Sequence, residues 1–292
     1  MLTAWLIPFP VVGCTNPWCT GGSGAPDLAK GASPFYCLFD NLPSTELLVW
    51  NANRGIGFEF AKQLSADSNN VVIATTRSFA NAAALKELNR SNLIIIEYDL
   101  NASLETLQKS LLPIKDYSVD VVIQNSGIAK DTQKSILQTS EDELREHYAV
   151  NAIGSVKVYQ SIFPYWSKKA NPETPKKFIF ISSAVGWTNN FFPMQTSHYG
   201  ASKAALNFLS RHIAFDHKSS DLDHIKNSIV VPVHPGVVET DMAKPFLVHR
   251  EKLSVPVISP QDSAASLISL IQNLKQEDDD TFITYDGNKV TW

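Results

Sequence analysis

The sequence has few of the features that mark secreted, membrane-spanning or nucleic-acid-binding proteins. Its three cysteines, Cys14, Cys19 and Cys37, all lie near the N-terminus, so the rest of the fold needs no disulfide and no thiolate metal site. No apolar run is long enough to cross a membrane, and no cluster of Lys and Arg is dense enough to indicate nucleic acid binding. These absences predict a cytoplasmic protein without a membrane, nucleic acid or metal partner.

The composition is typical of a globular protein, and the length of 292 residues is enough to bury a large core. Residues 1–44 differ from the rest, because they are rich in Gly and Pro and carry little charge. We therefore predict a poorly ordered extension over residues 1–44, or an incorrectly assigned gene start. One domain is predicted to follow over residues 45–292.

Short apolar runs alternate with helical patterns from residue 46 onward. The apolar runs predict strands at 47–50, 71–75, 93–97, 119–123, 178–181, 229–233 and 281–285. The patterns between them predict helices at 58–65, 81–89, 104–112, 141–166, from 199, and 262–274, and a looser stretch at 241–261. This alternation predicts an α/β fold with a doubly wound parallel sheet, which binds ligands at the carboxyl ends of its strands.

One stretch carries the clearest chemistry. It runs from the strand at 178–181 through Ser183 and a loop to Tyr199 and Lys203, which begin a helix. Residues four apart lie on one face of a helix, and a nearby ammonium lowers the pKa of a tyrosine that otherwise titrates near ~10. The three side chains are suited to protonating a carbonyl oxygen while a hydride reaches its carbon.

A Tyr and a Lys at this spacing are also common on helix surfaces, so the pair alone is weak evidence for this chemistry. The chain must also provide a site for the hydride donor. Gly55 and Gly57 supply one, because they open a helix directly after a buried strand and let the backbone approach a pyrophosphate. Arg54 in this turn and Arg77 after the second strand favour NADP(H) over NAD(H), unless both are ordinary surface charges. Asp99 either accepts from the adenine amino group or caps the next helix.

These motifs, in this order, resemble those of the short-chain dehydrogenase/reductase superfamily over residues 45–292. The matching segments are NANRGIG at 51–57, Asp99-Leu100, QNSG at 124–127, VNAIG at 150–154, ISS at 181–183, YGASK at 199–203 and HPGVVET at 234–240. The resemblance implies a Rossmann-type fold and an NADP(H)-dependent oxidoreductase that reduces a small-molecule ketone to an alcohol. It is compatible with a homodimer or a homotetramer.

The resemblance also implies roles for individual residues. Tyr199 would be the catalytic acid, Lys203 its partner and a ligand of the nicotinamide ribose, and Ser183 the residue that orients the substrate. Asn151 would keep a water in a proton relay to Lys203. Together with the residues already selected, the complete set of other predicted cofactor contacts is Asn51, Arg54, Gly55, Ile56, Gly57, Arg77, Asp99, Asn125, Gly127, Pro235, Gly236, Val238 and Thr240.

The glycine motif departs from that of the superfamily at its first two positions. A Thr-Gly pair is usual there, whereas this chain has Trp50 and Asn51. That glycine often has a positive φ, which asparagine tolerates better than other non-glycine residues but less well than glycine. The change predicts reduced cofactor affinity and keeps open a second interpretation, a non-catalytic nucleotide-binding protein of the same fold. The intact catalytic set favours the enzyme.

Within the superfamily, the middle and end of the chain resemble the fungal ketoreductases related to norsolorinic acid ketoreductase. The matching segments are EDELREHY at 141–148, FIFISSA at 178–184, YGASKAALN at 199–207 and YDGNKVTW at 285–292. This resemblance implies an aromatic, polyketide or diketone-like substrate. The apolar residues that would line a pocket for it are Trp187, Phe191, Phe192, Met194, Met242, Phe246 and Leu247.

Overall fold

The apolar runs become the strands of one central sheet. The computed structural model describes residues 45–168, 174–191, 193–248 and 255–292, and the predicted extension over residues 1–44 lies outside them. The strands are β1 (Thr45–Val49), β2 (Asn70–Thr76), β3 (Leu93–Glu97), β4 (Val121–Gln124), β5 (Lys177–Ile181), β6 (Ile229–His234), β7 (Val237–Val238), β8 (Val257–Ile258), β9 (Phe282–Thr284) and β10 (Lys289–Val290). β7 and β8 pair only with each other among the described residues.

The central sheet has the order β10-β9-β6-β5-β4-β1-β2-β3. Neighbouring strands from β3 to β9 run parallel, and β10 runs antiparallel to β9. The chain builds outward from β1 to β3 and then returns to place β4 on the other side of β1. This reversal creates a crevice at the carboxyl ends of β1 and β4, where open α/β sheets bind ligands. The predicted doubly wound, Rossmann-type fold is confirmed.

Helices cover both faces of the sheet. They are α1 (Gly55–Leu64), α2 (Ala83–Glu87), α3 (Leu104–Ser110), α4 (Glu141–His147), α5 (Gly154–Trp166), α6 (Ser197–Lys218), α7 (Asp223–Lys226), α8 (Lys244–Leu247) and α9 (Pro260–Asn273). On one face Phe60 of α1 and Leu267 of α9 belong to the same core as Val49. On the other face Val158 of α5 belongs to the same core as Leu48. Successive strand residues point to opposite faces, so Leu48 and Val49 serve different cores.

The predicted strands and helices are present with ends that differ by a few residues, β7 and α7 are additional short elements, and three further local features differ from the prediction. The helix predicted over 141–166 contains a π-helical segment, Tyr148–Ile153, between α4 and α5. The stretch at 241–261 contains α8 and β8. β10 forms a hairpin with β9 that the sequence analysis did not include. None of the helices in the described ranges is long and apolar enough to cross a lipid bilayer.

Candidate active site

The turn from β1 into α1 has room for a phosphate beside its backbone. Gly55 has a φ of 56°, which side chains other than that of glycine rarely permit. A Cβ atom on Gly57 would lie 2.3 Å from the Asn51 carbonyl oxygen and 2.5 Å from Nδ2 of Asn125, so only glycine fits there. The first N–H groups of a helix have no partners within it and favour an anion. The residues of this turn therefore fit the pyrophosphate of a dinucleotide.

The two unusual residues of this turn have different structural roles. Asn51 has a φ of 55°, the positive value that the sequence analysis considered for this position. Its N–H donates to Oγ1 of Thr75 at 3.0 Å, and its carbonyl accepts from Nδ2 of Asn125 at 3.3 Å. Trp50 is buried and packs edge-to-face on Tyr98 with ring centroids 5.5 Å apart. The turn thus keeps a glycine-like backbone while Trp50 becomes a core residue.

The two arginines predicted to select NADP(H) are both exposed. Arg54 is the N-cap residue of α1, with an extended backbone. It lies close enough to Asp241 to help Lys244 hold the pKa of that carboxyl below its ordinary value. Arg77 directly follows β2, at the carboxyl end of the strand next to β1. Their contact with a ribose phosphate stays a prediction.

Asp99 follows β3 and forms a local turn. Its Oδ1 atom accepts from the backbone N–H and from the side-chain amide of Asn101, both at 3.1 Å. Ser103 is the N-cap of α3, because its hydroxyl accepts from the N–H of Thr106. The alternative that Asp99 caps the next helix is therefore wrong, and its contact with adenine stays a prediction.

The two serines after β5 serve different purposes. The Ser182 hydroxyl is buried and donates to Oδ1 of Asn207. Ser183 begins a 3₁₀ turn, Ala184–Gly186, and its hydroxyl accepts from the N–H of Val185 at 3.4 Å. A hydrogen bond with Ser183 lowers the pKa of Tyr199 against the larger effect of burial, so Ser183 lies at the phenol. The structure thus brings together the serine and the tyrosine that the sequence analysis selected.

Burial dominates the electrostatics of Tyr199 and Lys203. It raises the pKa of Tyr199 above the ordinary 10.0, and it lowers the pKa of Lys203 to about 8. The Nζ atom of Lys203 donates to the Ile181 carbonyl at 2.9 Å and lies 6.0 Å from the centre of the Tyr199 ring. The sequence analysis expected Lys203 to lower the tyrosine pKa. In the structure, burial of the phenol raises the pKa of Tyr199, and the Lys203 ammonium does not reverse this effect because it donates to the Ile181 carbonyl instead.

Asn151 lies in the π-helical segment, completely buried. Its amide nitrogen donates to the Ile128 carbonyl and to the Ser202 hydroxyl, both at 2.9 Å, and its Oδ1 accepts from the Ile128 N–H at 2.8 Å. A Cβ atom on Gly127 would lie 3.2 Å from this Oδ1 and 3.3 Å from Nζ of Lys203. Asn151 therefore joins the loop after β4 to α6 beside Lys203, while its role in a proton relay stays a prediction.

Two clefts open at the carboxyl ends of the strands. The first, here called the polar cleft, has a volume of about 320 Å³. The predicted cofactor residues that line it are Asn51, Arg54, Gly55, Ile56, Asn125, Gly127, Tyr199, Lys203, Pro235 and Thr240. Arg77 and Asp99 do not line it, and Gly57 is buried behind the turn. The structure therefore collects most of the predicted cofactor contacts around one cleft.

The second cleft, here called the apolar cleft, has a volume of about 510 Å³. It is lined by Ser183 and Tyr199, by Gly236 and Val238, which were predicted to contact the cofactor, and by four of the predicted apolar residues, Trp187, Met194, Met242 and Phe246. Phe191 is 72% exposed, Leu247 is not part of the lining, and Phe192 lies outside the described residues. Tyr199 is among the residues that line both clefts, so it lies at the boundary between them.

The sequence analysis missed the side of the apolar cleft that the C-terminal hairpin provides. Tyr285, Asp286 and Val290 line this side, next to His234 at the end of β6. A signal for the hairpin was present, because Asp-Gly is a strong turn dipeptide and Gly287 has a φ of 85°. His234 belongs to the matched segment at 234–240, but the sequence alone does not show which cleft its side chain lines, because that depends on how β6 sits in the sheet.

Fold and site together fit an oxidoreductase that binds a dinucleotide, and the comparisons with known proteins support the oxidoreductase class. A family model described as short chain dehydrogenase matches residues 46–251. An uncharacterized oxidoreductase of Schizosaccharomyces pombe is 33% identical over 256 residues, which cover 84% of this chain and 96% of the relative. A short chain dehydrogenase of Penicillium aethiopicum is 31% identical over 264 residues, covering 86% of this chain and 100% of the relative.

Solved structures extend the similarity to the fold. The crystal structure of NADPH-bound carbonyl reductase from chicken fatty liver has a TM-score of 0.73 and 26% identity, covering 86% of this chain and 100% of the reductase. The chain belongs to the short-chain dehydrogenase/reductase superfamily and is an oxidoreductase of that family.

Proposed function

We propose that the protein is an NADPH-dependent reductase of apolar ketones, with Tyr199 as the general acid. The observation that carries this proposal is the position of Tyr199, which lines both the polar and the apolar cleft. A group shared by the two clefts can act on a substrate in one while a cofactor occupies the other. The apolar lining of the second cleft suits a ketone with an aliphatic or aromatic body.

Three residues near the boundary between the clefts have different roles in proton transfer. Ser183 donates a hydrogen bond to the carbonyl oxygen and holds it at the phenol, and Tyr199 then gives that oxygen its proton. Lys203 is buried with a pKa of about 8, so it is mostly protonated at neutral pH and favours the phenolate that remains. When bound, the cofactor supplies the hydride for the carbonyl carbon.

The cofactor preference rests on charge. The glycine turn and the start of α1 would hold the pyrophosphate, and Lys203 would hold the nicotinamide ribose. Arg54 and Arg77 would meet a ribose phosphate, because guanidinium groups bind phosphate with paired hydrogen bonds. The similar chicken carbonyl reductase, which was solved with NADPH, supports the same choice.

The test combines a cofactor titration with a carbonyl panel. Wild-type protein should consume NADPH with aromatic ketones, quinones or diketones. Tyr199→Phe should lower kcat by about 10²–10⁴-fold, because that is the usual contribution of a general acid, while the Kd of NADPH changes little. Tyr165→Phe, a partly exposed tyrosine on α5, is the matched control and should keep full activity. A Tyr199→Phe variant that retains wild-type kcat would rule out the assigned acid.

The non-catalytic alternative predicts a different result from the same panel. A protein that only binds nucleotide would bind NADPH firmly and consume it with no carbonyl compound. The positive φ of Asn51, which keeps a glycine-like turn, supports the enzyme over that alternative. The cytoplasmic location and the assembly into a homodimer or homotetramer stay predictions.

A further inference from the structure

The apolar cleft has one polar side that the proposed proton transfer does not use. His234, at the end of β6, faces this side together with Thr284, Asp286 and Asn288 of the β9–β10 hairpin. Most of the remaining lining is aliphatic or aromatic. In pockets of this kind, a few placed polar groups fix the orientation of the ligand and select it.

His234 offers a hydrogen-bond donor to this cleft. Its Nδ1 atom accepts from the backbone N–H of Ala184 at 3.4 Å, which leaves the ring proton on Nε2. Burial lowers the pKa of His234 to about 4, although Asp286 acts in the opposite direction, so the ring is neutral at neutral pH. No hydrogen-bond partner for Nε2 lies within the part of the chain that the structure describes. Nε2–H is therefore available to a ligand.

Asp286 offers a fixed acceptor. Its Oδ1 atom accepts from the Thr284 hydroxyl, and its Oδ2 atom accepts from the Asn288 amide at 2.8 Å. These bonds lower the pKa of Asp286, and the bond from Thr284 has the largest effect. The carboxylate is therefore charged at neutral pH. Among the described residues lining the apolar cleft, Asp286 is the single Asp, Glu, Lys or Arg. Each oxygen keeps a second lone pair for a ligand.

We propose that His234 and Asp286 form a subsite for a hydroxyl group, so that the substrates are hydroxyketones with an otherwise apolar body. The hydroxyl oxygen accepts from Nε2–H of His234, and the hydroxyl proton is donated to the Asp286 carboxylate. A hydroxyl group is the smallest neutral group that satisfies a donor and an acceptor together. This inference rests on the proposed ketone reductase function and specifies its substrate class.

The same subsite discriminates against two other kinds of ketone. A substrate that lacks the hydroxyl leaves the exposed Asp286 carboxylate and the half-buried His234 donor without that partner, so the enzyme stabilises its transition state less. A ketone that carries a carboxylate in the same place is repelled by Asp286. A methyl ether keeps the acceptor for His234 but loses the donor for Asp286, so it separates the two contributions.

The test is the specificity of the full chain for matched aryl ketones with NADPH. The set is ortho-, meta- and para-hydroxyacetophenone, the three corresponding methyl ethers and acetophenone. The three isomers cover different distances between carbonyl and hydroxyl. For the isomer that fits, we expect kcat/KM to exceed that of acetophenone and of its own methyl ether by roughly 3- to 10-fold, the range for an ordinary hydrogen bond, because the exposed Asp286 carboxylate exchanges water for the ligand.

Three variants assign the preference to the two side chains. Asp286→Asn and His234→Leu should each reduce the ratio of hydroxyl to parent ketone towards one. His234→Gln keeps a side-chain donor and should restore part of the ratio. Val290→Ala, on the same hairpin and in the same cleft, is the matched control. It should change kcat/KM for all the ketones by a similar factor and leave the ratio as in the wild type. Thermal unfolding and NADPH titration verify that each variant is folded.

The outcomes separate this inference from the function on which it rests. If the wild type consumes NADPH with acetophenones but prefers no hydroxylated isomer, the subsite is refuted and the ketone reductase function stands. If the preference exists but persists in both Asp286→Asn and His234→Leu, the hydroxyl is bound elsewhere and the subsite is refuted. If no ketone is reduced although NADPH binds, the proposed function fails and the subsite with it.

Discussion

Substitutions at Asn51 provide the sharpest test of the turn that carries the cofactor cleft. Asn51 has a φ of 55°, and its side chain makes no hydrogen bond to any residue in the described ranges. Replacing it therefore changes the cost of the left-handed backbone and little else. That conformation costs about 1–2 kcal/mol for most L-residues and less for asparagine.

We expect the free energy of unfolding to depend on the residue at this position in a defined order. Asn51→Ala should reduce the free energy of unfolding by about 1 kcal/mol, and Asn51→Val should reduce it by about 2 kcal/mol, because a β-branched side chain tolerates positive φ least. Asn51→Gly should lie within about 1 kcal/mol of wild type, since relief of strain is offset by the greater entropy of glycine in the unfolded chain.

Urea unfolding measures the free energy of unfolding of each variant directly, and the chain offers a matched control two residues away. Asn53 lies in the same turn but is not among the described residues with positive φ. Asn53→Ala should therefore change the free energy of unfolding by no more than about 0.5 kcal/mol. The reasoning is refuted if Asn51→Ala is as stable as wild type, or if Asn53→Ala loses as much as Asn51→Ala.

Two further predictions concern charge. Arg77→Asp should lower the preference for NADPH over NADH in binding titrations by roughly 10- to 100-fold, because a carboxylate repels the ribose phosphate and accepts from a ribose hydroxyl. Lys86→Asp on α2 is the control, and an equal loss there would show a long-range charge effect. Burial lowers the pKa of Lys203 from 10.5 to about 8, so the folded state disfavours its protonated form. Its contribution to stability falls as pH drops from about 10.5 to about 8 and is constant below that. Lys203→Met should therefore raise the free energy of unfolding of the cofactor-free protein at neutral pH, by roughly 3 kcal/mol at most, and this gain should vanish above about pH 10.5. A variant less stable than wild type at pH 7 would contradict this.

The fold could be predicted because its strands are continuous apolar runs that end in polar or glycine residues. Parallel strands are buried on both faces, and their carboxyl ends meet at one edge, so the motifs at those ends were expected to converge. Ser183 and Tyr199 converge as expected. Trp50, the last residue of the strand predicted at 47–50, directly follows β1 and shares a core with Leu48 two positions earlier, as the alternation of a strand predicts.

The remaining features depend on contacts that no local pattern records. Lys203 donates to a carbonyl that lies 22 positions earlier, and this contact arises from the packing of α6 on β5. The strand predicted at 281–285 is present as Phe282–Thr284, but Lys289–Val290 is only two residues long and shows no alternating pattern, so the hairpin and its contribution to the cleft were missed. The sequence does not distinguish the π-helical segment Tyr148–Ile153 from a continuous α-helix, because a turn with one extra residue needs no special residue types.

The order of strands in the sheet has a consequence for synthesis of the protein. β6 pairs with β9, yet about fifty residues separate the end of β6 from the start of β9. At ~5–20 residues per second, a ribosome needs roughly 2–10 s to supply that partner. During this interval the nascent chain presents the free edge of an apolar strand, the kind of surface that promotes aggregation. Molecular chaperones that bind extended apolar segments would act on this chain after β6 has emerged and before β9 arrives.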